Sequence, residues 1–150
     1  PRVTWDDLAW VRQHWPGRIL LKGILDADDA RLAAAAGADG IVVSNHGGRS
    51  EDNGRATIDA LPEILEAVDG RIPVLVDSGF RRGTDIAKAL ALGARAVCVG
   101  RPYLWGLGAF GQPGVERVLN ILHQETRNVM MQLGAASLKQ LVPAMVRRAT

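Results

Sequence analysis

Apolar residues fall along this chain in two rhythms: short unbroken runs, and longer stretches with helical spacing. The first helical stretch opens at Thr4, an N-cap residue type, with Asp6 and Asp7 in the first turn. It runs to about Gln13, where Pro16 and Gly17 end it. An apolar run over 19–24 predicts a short buried strand, and Asp26 then caps an alanine-rich helix that ends at Gly37. The run 40–44 predicts a second strand, 58–68 has helical periodicity, and 74–77 predicts a third strand. A helix over 84–92, ended by Gly93, leads into a fourth strand over 96–100, and a long amphipathic helix fills 115–133. Strands alternating with helices imply parallel βα units.

A weak internal repeat runs through this pattern. "AAAGADGIVVSN" (34–45) is similar to "LALGARAVCVGR" (90–101), and the same offset of 56 residues carries "LLKG" (20–23) onto "VDSG" (76–79). Two copies of a βαβα quarter satisfy either an independent doubly wound α/β sheet or half of an eight-unit barrel. The repeat alone does not choose. Position says more, because the polar and special residues collect where strands end: Lys22, Ser44 with His46, Asp77 to Gly79, and Gly100 with Arg101. In α/β folds those C-terminal strand ends build the active site, and four consecutive strands ending in chemistry favour a barrel face over a single switch point.

Composition narrows the function classes. The 150 residues suffice for one domain with a real core, and a hydrophobic share of 47% is ordinary for a globular chain. The net charge is +2, no block of like charges occurs and aromatics are 5%, so a nucleic-acid partner is not expected. Cys98 is the single cysteine, inside the apolar run 96–99, and reads as a buried core thiol in a reducing compartment. No apolar stretch reaches the roughly 18 residues of a membrane span, and no signal peptide is visible. The chain starts with Pro1-Arg2 rather than methionine and enters at once on a helix, so it reads as a piece of something longer.

Lys22, near the end of an apolar strand, is either a salt-bridged or snorkelling lysine or one that faces an anionic ligand. His46 has the titration range of a general base, and Gly47-Gly48 behind it admit a ligand close to the backbone. Arg49 then supplies a planar fork suited to a carboxylate. A Ser44–His46 hydrolase is the competing chemistry, but the chain has neither a G-x-S-x-G elbow nor an obvious third partner. "DSGFRRG" (77–83) and "GRP" (100–102) look like a phosphate site: Gly79 and Gly83 allow close backbone approach, and Arg81 and Arg82 add charge. Pro102 would start a short helix over 103–107 whose N–H groups point at an anion. Phosphate in barrels sits after strands seven and eight, which would make these units five to eight. His14 and His123 read as structural or exposed, and no cluster has metal-ligand spacing.

Four segments, in order, carry a family resemblance: "LLKGIL", "GADGIVVSNHGGR", "PVLVDSGFRRGTDIAKALALGA" and "VCVGRP". Together they resemble the FMN-dependent 2-hydroxy-acid oxidising enzymes, the family of glycolate oxidase, cytochrome-type L-lactate dehydrogenase, lactate oxidase and mandelate dehydrogenase. "DSGFRRGTD" with the tryptophan-rich start is most similar to the mandelate dehydrogenase branch. The resemblance implies a TIM (β/α)8 barrel of which this chain is the C-terminal half, units five to eight, with FMN at the C-terminal strand ends. It implies Lys22 at the flavin N1/C2 carbonyl, Ser44 against the flavin, His46 as base in contact with the substrate, and Arg49 as clamp on the substrate carboxylate. Asp77, Ser78, Gly79, Phe80, Arg81, Gly100 and Arg101 would hold the ribityl chain and phosphate.

The implied partners are a small 2-hydroxy acid, the N-terminal half of the same barrel, and further copies of the chain in a homo-oligomer, a tetramer by resemblance. The implied location is the cytoplasm, or the cytoplasmic face of a membrane through a segment upstream of Pro1. Two departures stand out. The family usually has glutamine then leucine after the arginine, where this chain has Ser50-Glu51 before Asp52. The family's N-terminal half, source of a substrate-facing tyrosine and an aspartate that orients the histidine, is absent. Alternatives are another phosphate-binding flavin barrel such as a type 2 isopentenyl diphosphate isomerase, and a non-catalytic half-barrel for a phosphorylated ligand. A carboxylate clamp beside a histidine has no role on a diphosphate, which speaks against the first.

Overall fold

A computed structural model describes residues 3–51 and 53–147; Pro1-Arg2 and Asp52, on which the chain-start and loop-motif readings rest, lie outside the described residues. The capping chemistry sets the helix starts. The Asp7 carboxylate accepts from the main-chain N–H (2.6 Å) and hydroxyl (3.1 Å) of Thr4, opening α1 (Trp5–His14). The Asp26 side chain accepts from the N–H groups of Asp28 and Asp29 at the start of α2 (Ala27–Ala35). Strands β1 (Leu20–Ile24) and β2 (Gly40–Val43) flank α2, and α3 (Thr57–Val68) leads to β3 (Val74–Val76). Helix α4 (Gly83–Leu92), β4 (Ala96–Val97) and α5 (Arg101–Gln132) follow, then two short 3-10 turns, Leu138–Gln140 and Pro143–Met145.

All pairings are parallel, and the strand order in the sheet is β1-β2-β3-β4, the order of the chain. A doubly wound sheet reverses its order at a switch point. This one does not. The helices pack in the same succession, α2 on α3, α3 on α4 and α4 on α5, as one outer layer. The architecture is a partial (β/α)8 barrel.

Alternation along the strands assigns the faces. Ile41, Val43, Val74 and Val76 join Leu61, Ile64 and Val68 of α3 in the core between sheet and helices. The opposite row, one residue from each strand in register, is Lys22, Val42, Leu75 and Ala96. Leu20 and Lys22 on that inner face are half exposed. A bulge at Gly23 (φ 101°) breaks the alternation of β1, so that Ile24 returns to the core opposite Val43.

Three expectations need correction. Cys98 is exposed, not a core thiol. Strand β4 closes after two residues at the edge of the sheet, with Val97 and Val99 turned to the core and Cys98 between them on the open inner side. The short helix 103–107 and the long helix 115–133 are one element, α5, bent at Gly111 (φ 63°, ψ −144°). Its two arms touch backbone to backbone: a Cβ on Gly114 would fall 1.9 Å from the Gly106 carbonyl oxygen. The repeat holds for α2–β2 against α4–β4, but β3 starts at Val74, two residues before the position that the offset from Leu20 requires.

Candidate active site

The four strand ends meet at one cleft of about 360 Å³. Of the residues singled out in the sequence, Lys22, His46, Arg49, Asp77, Ser78, Gly79, Phe80, Arg81, Gly100 and Arg101 all line it. Ser44 does not, being fully buried directly beneath. Phe80 lines it although its ring is only 5% exposed and belongs to the core. Arg82 is drawn away by an ion pair with Glu125 of α5 (2.9 Å), and is not among the lining residues. Gly83 serves helix packing, since a Cβ there would lie 2.2 Å from the Thr126 nitrogen.

At the floor of the cleft, Lys22 Nζ lies 3.0 Å from Asp77 Oδ2 and donates to Ser44 Oγ (2.8 Å). The salt-bridge reading of Lys22 holds, and its side chain is still 47% exposed, at the cleft. Burial of the Asp77 carboxyl pushes its pKa up, but hydrogen bonds from Ser44, Ser78 and Lys22, with the lysine charge, outweigh that and hold it below its ordinary value. Cys98 is pushed the other way, first by partial burial and then by the Asp77 charge, so its thiol form is favoured.

His46 sits in left-handed backbone (φ 56°) on the loop after β2, and its main-chain N–H donates to Ser44 Oγ (3.1 Å). That bond disposes of the Ser44–His46 hydrolase: a buried hydroxyl that accepts from the histidine's main chain is no nucleophile for its ring. The imidazole makes no hydrogen bond among the described residues, which leaves both ring nitrogens for a ligand. Arg49 turns back so that its Nε–H donates to the His46 carbonyl (3.3 Å), and its guanidinium shares the cleft. The departure at Glu51 is used inside the loop, where its carboxylate accepts from the Asn53 N–H (2.6 Å).

The remaining wall suits a phosphate-bearing cofactor. Gly79 (φ 86°) and Gly100 are backbone positions where a Cβ would meet no protein atom, so the main chain is bare to the cleft. Arg101, the first residue of α5, donates to the Gly47 carbonyl (3.1 Å), and the first-turn N–H groups of α5 open at the same place. Arg81 lies over the Trp105 ring at 5.7 Å. With Lys22 at the opposite end, the donor set fits a long anionic ligand carrying a polar ring at one end and a phosphate at the other.

Sequence reasoning missed Tyr103 and Leu104, which enter the cleft from the first turn of α5, and Thr57 behind it. The signal for the first two was their place directly after the "GRP" motif. Thr57, 2% exposed, donates to the carbonyls of Asp77 (2.7 Å) and Ser78 (3.2 Å), a contact that no local pattern announces. As expected, His123 is exposed, and His14 stacks on Trp10 (4.2 Å between ring centroids).

A parallel sheet in barrel order, with bare glycine backbone, two arginines and a lysine at its strand ends, is the arrangement of a phosphate-binding α/β barrel. The chain belongs to the FMN-dependent dehydrogenase family, whose profile matches residues 1–148. It is 53% identical over 143 residues to a pre-mycofactocin synthase of Mycolicibacterium smegmatis, covering 95% of this chain and 36% of that protein. It is 51% identical over 148 residues to 2-hydroxyacid oxidase 1 of Mus musculus, covering 99% of this chain and 40% of that one. Among solved structures, a soluble mutant of the membrane-associated (S)-mandelate dehydrogenase from Pseudomonas putida superimposes with a TM-score of 0.93 at 43% identity, over 97% of this chain and 41% of that one. The chain thus spans about two fifths of the length of these relatives. Among the described residues no helix is long and apolar enough to cross a membrane.

Proposed function

We propose that the protein containing this chain oxidises a 2-hydroxy acid, mandelate- or lactate-like, to the 2-oxo acid with FMN. The observation that carries this is the shared cleft: His46 and Arg49 stand on one loop beside the Lys22, Arg81 and Arg101 cations that suit the cofactor. Lys22 would hold the flavin ring's carbonyl end, the Gly79 and Gly100 main chain the ribityl region, and Arg81 and Arg101 the phosphate. FMN, when bound, accepts the two electrons released as the hydroxyl-bearing carbon becomes a carbonyl. Arg49 pairs with the substrate carboxylate through its planar fork. His46 takes up the substrate's proton on a ring nitrogen, and its bond to Ser44 sets the height of the ring above the strand end. The half-exposed inner face at Leu20 and Lys22 supports completion of the barrel by an N-terminal half.

The reading extends to assembly with further copies, tetrameric by the resemblance. It also extends to a place in the cytoplasm or on the cytoplasmic face of a membrane, the latter supported by the membrane-associated relative. The test is anaerobic mixing of the FMN-loaded full-length protein with L-mandelate, L-lactate or glycolate. Bleaching of the flavin is expected with at least one. A protein that holds FMN and bleaches with none of a broad panel of 2-hydroxy acids would refute the reading.

A further inference from the structure

Ser78 occupies a position that its backbone alone does not favour. Its φ is 73°, in the left-handed region that disfavours every residue with a Cβ except where local hydrogen bonds compensate. Gly79 beside it adopts a similar angle without that cost. The compensation is visible in the hydroxyl, which donates to Asp77 Oδ1 (2.7 Å) and accepts from the main-chain N–H of Gly47 (3.1 Å). Thr57 holds the Ser78 carbonyl from behind, at the start of α3. The hydroxyl therefore joins two loops 31 residues apart in the chain.

What it joins matters more than the bond itself. Gly47 follows His46 directly. Its N–H is shared between Ser78 Oγ and Asn45 Oδ1 (3.0 Å), and its carbonyl accepts from Arg101. Asp77, on the other side of Ser78, is ion-paired with Lys22. A continuous chain thus runs from the Lys22 ammonium through the Asp77 carboxylate and the Ser78 hydroxyl to the peptide that carries His46. Lys22 stands on β1 and His46 on the loop after β2, and this chain supplies a fixed spacing between them.

We propose that Ser78 is a positioning residue that locks the His46 loop to the Lys22–Asp77 pair. The proposal rests on the reading of His46 as the base. Ser78 lines the cleft, and its hydroxyl acts on the site through its bonds to Asp77 and Gly47. A glycine would relieve the backbone strain here, so the hydroxyl must supply something that relaxed backbone does not.

Ser78→Gly and Ser78→Ala separate the two effects, since both remove the hydroxyl but only alanine keeps the strain. In the FMN-loaded full-length protein, amide hydrogen exchange at Gly47 is expected to accelerate on the order of 3- to 10-fold in both variants, as for the loss of one hydrogen bond. Flavin reduction should slow in both, while the thermal midpoint falls only for Ser78→Ala. Unchanged Gly47 exchange in Ser78→Gly overturns the lock, and faster exchange with an unchanged reduction rate overturns its role in positioning His46. If the wild-type protein reduces its flavin with no 2-hydroxy acid, the proposed function fails, and Gly47 exchange still decides the lock.

Discussion

The imidazole of His46 lies against the bare α-carbon of Gly23: a Cβ on Gly23 would stand 2.9 Å from His46 Cε1. The bulge that returns Ile24 to the core also removes the side chain that would displace the candidate base. Gly23→Ala should therefore both strain the backbone, by about 1–2 kcal/mol for a left-handed alanine, and push the ring out of place. Gly37→Ala is the control, because Gly37 has a similar φ of 83° with open space around it. Both variants should lose thermal stability, and only Gly23→Ala should also slow flavin reduction. Equal reduction rates in the two would show that the contact does not position the ring.

His46→Gln retains hydrogen bonding and removes the base. The protein should stay yellow while flavin reduction falls about 10²–10⁴-fold, the usual worth of a general base. Arg49→Lys keeps the charge but loses the fork, so substrate affinity should weaken together with the rate. Stopped-flow reduction over a range of substrate concentrations separates these outcomes.

Removal of either Arg81 or Arg101 should cost on the order of 1.5–3 kcal/mol of FMN binding, the value of a charge-assisted hydrogen bond. Riboflavin, which lacks the phosphate, should bind Arg81→Ala about as well as wild type. Arg101→Ala loses the bond to the Gly47 carbonyl as well, so its loop should loosen even with riboflavin bound. Titration of each apoprotein with both ligands reads the difference.

Acid should weaken the fold through Asp77. Its folded pKa is depressed, so its contribution is fully present above the unfolded carboxyl value of about 3.9 and is lost as pH falls through the lower folded value. Asp39, Glu63 and Glu125 are lowered too and act in the same direction. Asp77→Asn should be less stable than wild type at pH 7 and show a shallower decline on acidification. Denaturant unfolding across the acid range, with parallel curves for the two proteins, would contradict this.

Much of the fold was legible in the chain because its signals are local. Thr4, Asp26 and Gly93 punctuate helices through bonds to residues within four positions, and the period of the apolar runs separates strand from helix without reference to distant partners. The strand-end residues were legible for a related reason, since Lys22, His46 and Arg101 are polar groups set where an apolar run stops. Local pattern misled where burial depends on what lies across the sheet. Cys98 looks like a core residue among valines, yet it sits on the inner side of an edge strand.

Sequence alone determined the βα rhythm and most of the polar residues that face the cleft. Tertiary structure decided the strand order that makes the sheet part of a barrel, and with it the partners of each charged group. Lys22 meets Asp77, Arg82 leaves the cleft for Glu125, and Ser78 reaches Gly47, each across dozens of residues of chain. Helical and strand periods are set by backbone geometry within a few residues. Ion pairs and hydrogen bonds fall off within a few ångströms, so their partners exist only once distant segments are packed side by side.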